Sequence, residues 1–297
     1  MARTLNVAEH LTRFDPLSNK TRVQRATDHA QALPEPKPFL KWVGGKRQLL
    51  PEIARHLPES LGRYHEPFVG GGALFFHLKP KNAVLTDQNE RLIRTYRGIR
   101  DDVEAVIRRL EGYRHTRRFY LEMRERPIDK KSDVEVAAWF VYLNRTGYNG
   151  LYRVNRQNRF NVPFGDYDRP TICNAENLRA CSRMLKGVTL ETRDFASVLD
   201  HVKANDFVYF DPPYVPLSAT AKFTSYTTYG FSDIDQVRLR DVALELKRRG
   251  AFVLISNSAA RRVHELYASF RRVGVRARRS VNCHGDGRAS VPELLIF

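Results

Sequence analysis

The sequence predicts an α/β protein, an open and mostly parallel sheet of the Rossmann type with an antiparallel hairpin at its C-terminal end. Three observations carry that expectation. Short apolar runs at residues 83–86, 188–192, 207–210 and 251–256 alternate with helical patterns, which is what a parallel sheet with crossover helices requires. Three glycines, Gly70-Gly71-Gly72, stand between the short run at 66–69 and an apolar helix start at Ala73. That is the strand–turn–helix arrangement in which a backbone comes close to a nucleotide. Finally, three of the runs lead to an acid, Asp87, Asp194 and Asp211, and the carboxyl ends of parallel strands share one crevice.

Composition narrows the class. The chain has 297 residues, 42% of them hydrophobic and 28% charged, enough apolar material for one large domain or two. No apolar run is long enough to span a membrane, and the first twenty residues lack the apolar centre of a signal peptide. Cys173, Cys181 and Cys283 show no CxxC spacing, so neither a disulfide framework nor a metal site is expected, and a reducing cytoplasm is the expected compartment. The net charge of +17 implies a polyanionic partner. The excess gathers in residues 91–170, with 18 basic against 11 acidic side chains, and in residues 261–290, with eight against two. Two such zones suit a surface that grips phosphates in more than one place.

Taken in order, residues 1–37 are polar and weakly periodic and end in Leu33-Pro34-Glu35-Pro36-Lys37-Pro38, an extended spacer; they read as an appendage. In Phe39-Leu40-Lys41-Trp42-Val43-Gly44-Gly45-Lys46, a glycine pair sits between an aromatic face and a cation, ahead of a helix at 47–57. The glycine turn at 70–72 lacks full GxGxxG spacing, but Asp87 closes the next strand about 17 residues on, where an acid can accept from ribose hydroxyls. These features favour an adenosine-like ligand, which could be S-adenosylmethionine, nicotinamide or ATP; the absence of GxxxxGK[ST] argues against a P-loop.

Residues 91–170 form an insertion. Apolar positions recur at helical spacing over 88–113, and 134–143 reads as a buried helix. Arg, Asn and Tyr then interleave with glycines from Asn144 to Asn155 and from Arg159 to Gly165. This predicts a turn-rich hairpin whose side chains suit base edges and stacking. The strand at 207–210 stops on Asp211-Pro212-Pro213-Tyr214. The prolines remove two donors and fix φ, leaving a rigid corner of carboxylate, carbonyls and ring that suits a planar amine. A Ser/Thr-rich loop at 217–230 reads as mobile. A helix capped by Ser232 runs to Arg249, and 270–281 with 291–297 read as a two-strand hairpin around a basic loop.

At these motifs the chain resembles the DNA adenine-N6 methyltransferases of the Dam type, the α group of the D12 class. The resemblance rests on Phe39 to Lys46, on Glu66-Pro67-Phe68-Val69-Gly70-Gly71-Gly72, on Tyr-Leu-Asn-Arg-x-Gly-Tyr-Asn-Gly-Leu from Tyr142, on Phe160 to Gly165, on Asp211 to Tyr214 and on Leu254-Ile255-Ser256-Asn257, in that order. It covers residues 37–297. The fold it implies is a Rossmann-like methyltransferase sheet at 38–90 and 171–297, interrupted at 91–170 by a mainly helical target-recognition domain with a β-hairpin.

The resemblance implies S-adenosylmethionine as cofactor, bordered by Trp42, Lys46, Phe68, Gly70, Gly72, Asp87, Asp194, Phe195 and Asp211. It implies double-stranded DNA as partner, with Lys41, Tyr148, Asn149, Leu151, Arg153, Asn155 and Pro163 at the recognition sequence, typically GATC. A monomer is expected. Gly71 stands where a small non-glycine residue is common. The target base must leave the stack; Tyr214 would stack on it, while Asp211 and the Pro212 carbonyl accept its amino hydrogens. Direct transfer then needs no protein nucleophile. An RNA adenine methyltransferase on the same sheet, a nicotinamide oxidoreductase and a catalytically silent DNA-binding protein are the competing readings.

Overall fold

A computed structural model describes residues 34–44, 46–217, 231–278 and 290–297. The expectations for residues 1–33, Gly45, the loop after Leu217, the basic loop 282–289 and Cys283 lie outside the described residues. Within Glu35–Phe297, a compact unit, the chain enters through a short 3-10 turn, Lys46–Gln48, and α1, Leu50–Arg55. Then come β1 (Tyr64–Glu66), α2 (Ala73–Leu78), β2 (Ala83–Asp87), α3 (Glu90–Asp101), α4 (Val103–Glu111), α5 (Arg117–Arg124) and α6 (Asp133–Thr146). After a looped segment follow α7 (Ala175–Leu185), β3 (Thr189–Thr192), β4 (Phe207–Phe210), α8 (Asp233–Arg248), β5 (Phe252–Ser258), α9 (Arg261–Leu266), β6 (Arg272–Arg278) and β7 (Ser290–Ile296).

The seven strands lie in the order β3-β2-β1-β4-β5-β7-β6. The first five run parallel, and β7 pairs antiparallel with both β5 and β6. This is the mainly parallel α/β sheet with a C-terminal hairpin that the alternation of apolar runs predicts. Strand pleating divides β4 between two cores: Phe207 and Tyr209 join the one under the helices that follow β2, while Val208 and Phe210 join the one under α8 and α9. The first core is continuous from Tyr64 and Phe75 through Tyr96 to Phe140 and Tyr142, so α3 to α6 share their packing with the sheet.

Three elements differ from expectation. The strand before the glycines is Tyr64–Glu66, not the apolar run at 66–69. β1 pairs on both sides, and Pro67 has no N–H to give a central ladder, so pairing stops before it. The single amphipathic pattern at 88–113 is two helices, because Asp102 leaves helical φ/ψ and its carboxylate caps α4 through the Ala105 N–H. The hairpin of the insertion is held by two isolated antiparallel bridges, Gly147 to Phe164 and Val154 to Phe160, rather than by paired strands. Helices α5, α7 and α9 had no counterpart in the sequence reading. α8 begins at a capping box, Ser232 with Asp235, and stops before Gly250, as the sequence predicts.

Candidate active site

β1 has β2 on one side and β4 on the other, so the strand order reverses there, the position at whose strand carboxyl ends open α/β sheets hold a ligand crevice. The glycine turn leaves β1 and the Asp211 corner leaves β4, so both face this crevice. Gly70 (φ +45°) donates its N–H to Asp87 Oδ2 at 3.2 Å, and its carbonyl accepts from the Tyr96 hydroxyl at 3.0 Å. A Cβ on Gly70 would lie 2.5 Å from Trp42 Nε1, and one on Gly72 (φ +64°) 2.8 Å from the Tyr96 hydroxyl. Both positions therefore require glycine, for conformation and for space.

Asp87 ends β2 with its second oxygen accepting from the Asn89 N–H at 2.9 Å. Burial pushes its carboxyl up to about 6, against the pull of these backbone donors. Glu66, the last residue of β1 and the first of the Glu66–Gly72 motif, is a fourth strand-end acid, one whose role its local sequence does not reveal. It is buried and accepts from the Tyr64 hydroxyl at 2.9 Å. Burial drives its carboxyl well above the usual range, and the charges of Asp211 and Asp87 add to that.

The corner itself is held from four sides. Lys46, 4% exposed, places Nζ 2.8 Å from Asp211 Oδ1 and 4.5 Å above the Tyr214 ring, and donates to the Gly44 carbonyl at 2.7 Å. Burial raises the Asp211 carboxyl, and the Lys46 ammonium opposes it. The Pro213 carbonyl accepts from Gln236 Nε2 at 3.0 Å, while no described residue donates to the Pro212 carbonyl. Gln236 Oε1 in turn accepts from Asn257, whose Oδ1 accepts from the Val215 N–H. The Tyr214 hydroxyl donates to Glu293 Oε2 at 2.8 Å. Gln236 and Glu293 were not singled out in the sequence, because nothing local marks a partner 23 or 79 residues away.

Asp194 and Phe195 follow β3, the edge strand beyond β2. The Asp194 carboxylate accepts from Gln88 Nε2 at 2.7 Å, from the Ala196 N–H at 2.9 Å and from Arg238. Phe195 is buried, with Phe68 stacked on it at 5.4 Å and the Arg238 guanidinium 4.6 Å over its ring. The Arg238 guanidinium thus covers one face of the Phe195 ring.

The hairpin residues form a separate exposed group. Below them Trp42, Phe140 and Tyr152 stack, with Phe140 and Tyr152 at 4.7 Å and 9°. Above, Tyr148 is 46% exposed, and Lys41, Arg153 and Pro163 are exposed; Asn149, Leu151 and Asn155 are half-buried. Arg153 donates through Nε and Nη2 to Asn161. Asn155 Oδ1 is taken up by the N–H groups of Gln157 and Arg159, which leaves its amide donors for a ligand. Asn149 (φ 54°) donates its N–H to the Tyr167 hydroxyl, and the Lys41 ammonium sits 4.8 Å over the Tyr167 ring. Asn144 accepts from the Lys41 N–H and donates to the carbonyls of Lys41 and Gly150, tying the two loops together.

A concavity of about 500 Å³ lies elsewhere, at Arg109, Arg126, Pro127, Ile128, Lys131 and Glu135, and contains none of these groups. Among the described residues no cluster of His, Cys, Asp and Glu could hold a metal ion, and no helix is long and apolar enough to cross a membrane. The Cys181 thiol, pushed up to about 12 by burial, donates to the Lys37 carbonyl and is a packing residue.

Residues 42–281 match the family model of D12 class N6 adenine-specific DNA methyltransferases. The Type II methyltransferase M1.LlaDCHI of Lactococcus lactis subsp. cremoris is 43% identical over 88% of this chain and 94% of its own length. M.MjaIII, a Type II methyltransferase of Methanocaldococcus jannaschii, is 42% identical over 89% and 99%. The DNA adenine methylase of Escherichia coli K12 is 36% identical over 87% and 94%.

Proposed function

The chain belongs to the D12 class N6 adenine-specific DNA methyltransferases, and from that premise we propose that it carries a methyl group from S-adenosylmethionine to N6 of an adenine turned out of a short duplex site, GATC. DNA adenine methylation is the family's activity; the donor, the everted base and the sequence are our reading. Nothing in the family description or in the relatives favours RNA as substrate.

One observation carries it: the Asp211 corner, clamped by Lys46 and Gln236, stands across the sheet's switch point from the glycine turn. The residues present fit the cofactor. Gly70 and Gly72, at positive φ, let the turn pack directly against Trp42 and Tyr96 with its backbone uncovered by side chains of its own, and Asp87 offers a carboxylate beside it. Trp42, Lys46, Phe68, Gly70, Gly72 and Asp87 would border the cofactor, and Asp194 with Phe195 would take its base. Bound there, S-adenosylmethionine supplies a methyl group made electrophilic by its sulfonium.

The chain's own residues do the rest. Asp211 and the Pro212 carbonyl accept the two N6 hydrogens, which directs the nitrogen lone pair out of the ring plane. Lys46 holds the Asp211 carboxylate in place, so acceptor strength is present before charge develops on N6. Tyr214 stacks on the base with the ring face that Lys46 leaves open. Lys41, Tyr148, Asn149, Leu151, Arg153, Asn155 and Pro163 read the flanking pairs, and the flipped state is selected by fit to the corner. The decisive assay is labelled methyl transfer to duplexes with and without GATC, followed by identification of the product base. N6-methyladenine in the GATC duplex alone is expected. Equal label in both duplexes would discard the sequence assignment, and label on cytosine the base assignment.

A further inference from the structure

Glu293 lies beyond residue 281, where the family match ends, and yet β7 delivers it to the corner. In register it faces Ser258 of β5, so its backbone is fixed on both sides by the antiparallel ladder, with Val275 opposite on β6. Its carboxylate accepts from the Tyr214 hydroxyl at 2.8 Å. Asp211 and Tyr209 also lie within its field, and its charge works against the ionisation of both Asp211 and Tyr214. A second carboxylate near Asp211 is electrostatically unfavourable, and a neutral acceptor could bond Tyr214 without that cost. What the acid adds is strength, since a charged acceptor holds a hydroxyl more firmly than a neutral one.

That strength acts on one degree of freedom. Lys46 presses on one face of the Tyr214 ring, and Pro213 fixes the backbone before it. Glu293 anchors the far end of the same ring, so its plane is set at three points. We propose that Glu293 is a positioning residue that holds the Tyr214 ring in the plane on which the everted adenine stacks, and so governs capture of the base rather than the transfer step. This rests on the reading of Tyr214 as the stacking surface.

The test uses the full chain, S-adenosylhomocysteine and a GATC duplex carrying 2-aminopurine at the target adenine, whose fluorescence reports unstacking and restacking. Methyl transfer to the unmodified duplex is measured in parallel, and melting confirms that each variant is folded. Glu293→Ala is expected to raise KM for DNA roughly tenfold, the loss of one hydrogen bond to a charged group, with a much smaller change in kcat and an altered 2-aminopurine signal. Glu293→Gln, which keeps an acceptor but loses the charge, should recover only part of the loss. In a Tyr214→Phe background Glu293→Ala should add nothing further. Additive effects of the two substitutions, or a fall in kcat with an unaltered fluorescence signal, would overturn the proposal. If the unsubstituted chain itself leaves the fluorescence unchanged, the base-eversion reading has failed instead, so the two failures are distinguishable.

Discussion

Asp211 in the crevice and Arg153 on the hairpin are both assigned to a base, yet the protein holds them in different ways. Asp211 ends a fully buried strand, is followed by two prolines and is paired with an ammonium that is itself buried. Arg153 projects from a loop, exposed, with part of its guanidinium resting on Asn161. Beneath it, however, lie Phe140 and Tyr152, stacked with their rings 4.7 Å apart, and Phe160 beside them. The hairpin is packed below and open above, whereas the Asp211 corner is held on every side by partners of its own. Damage to the crevice should therefore be all or none, and damage to the hairpin should be graded by base pair.

The largest effect tests the crevice. Asp211→Ala should lower kcat by at least about 10²–10³, the scale of losing one preorganised electrostatic contact to a transition state, while duplex binding largely survives. Because this leaves the Lys46 charge buried and unpaired, at a cost of about 3–5 kcal/mol, Asp211→Asn measured beside it by melting and by turnover separates chemistry from folding. Full activity in either variant would remove the corner from the mechanism.

Next comes a contrast within the glycine turn. Gly70→Ala should impose about 1–3 kcal/mol of backbone strain in addition to its clash with Trp42, and should abolish cofactor binding. Gly71→Ala, whose Cβ would sit 3.0 Å from Trp42 Cβ at an ordinary φ, should be far milder. Calorimetry with S-adenosylhomocysteine and thermal melting read both.

On the hairpin, Arg153→Ala should cost about 1–3 kcal/mol of discrimination at one base pair. Competition among duplexes substituted at each position measures it, and uniform weakening would reveal a phosphate contact, making the hairpin less specific than the comparison holds.

The last prediction is a pH dependence at Asp87, spread over a pH interval rather than concentrated in one substitution. Its folded value near 6 exceeds the usual carboxylate value of 3.8, so the folded state binds this proton more tightly. Stability from this group is complete below about pH 4 and is lost as pH rises through about 6. Cofactor affinity should move the other way, rising over the same interval as the carboxylate forms and accepts from ribose. Asp87→Asn should flatten both profiles; parallel rather than opposed slopes would exclude this role for Asp87.

The parts of this molecule that could be read from sequence are those enforced locally. Prolines after β4, glycines after β1 and short unbroken apolar runs announce themselves within a few residues. Tyr64-His65-Glu66 does not, because a polar triplet reads as surface. It is buried because His65 finds Asp206 at 3.1 Å, 141 residues on, and Glu66 finds the Tyr64 hydroxyl. The same blindness hid Glu293, Gln236 and Arg238, each defined by a partner brought near only by the sheet order. Asp102 was different: its capping position was present in the sequence, but an apolar period running through both helices masked the break.

Trp42 is common to both regions. Its indole stands against Gly70 and Gly71 on one side and lies along Phe140 and Tyr152 on the other, one residue from Lys41. A substitution at Trp42 is expected to weaken both proposed ligands, the donor and the duplex. Dissociation constants for donor and duplex, determined on any such variant, should drift together, and a mutagenesis campaign that seeks to uncouple the two will have to start from a different residue.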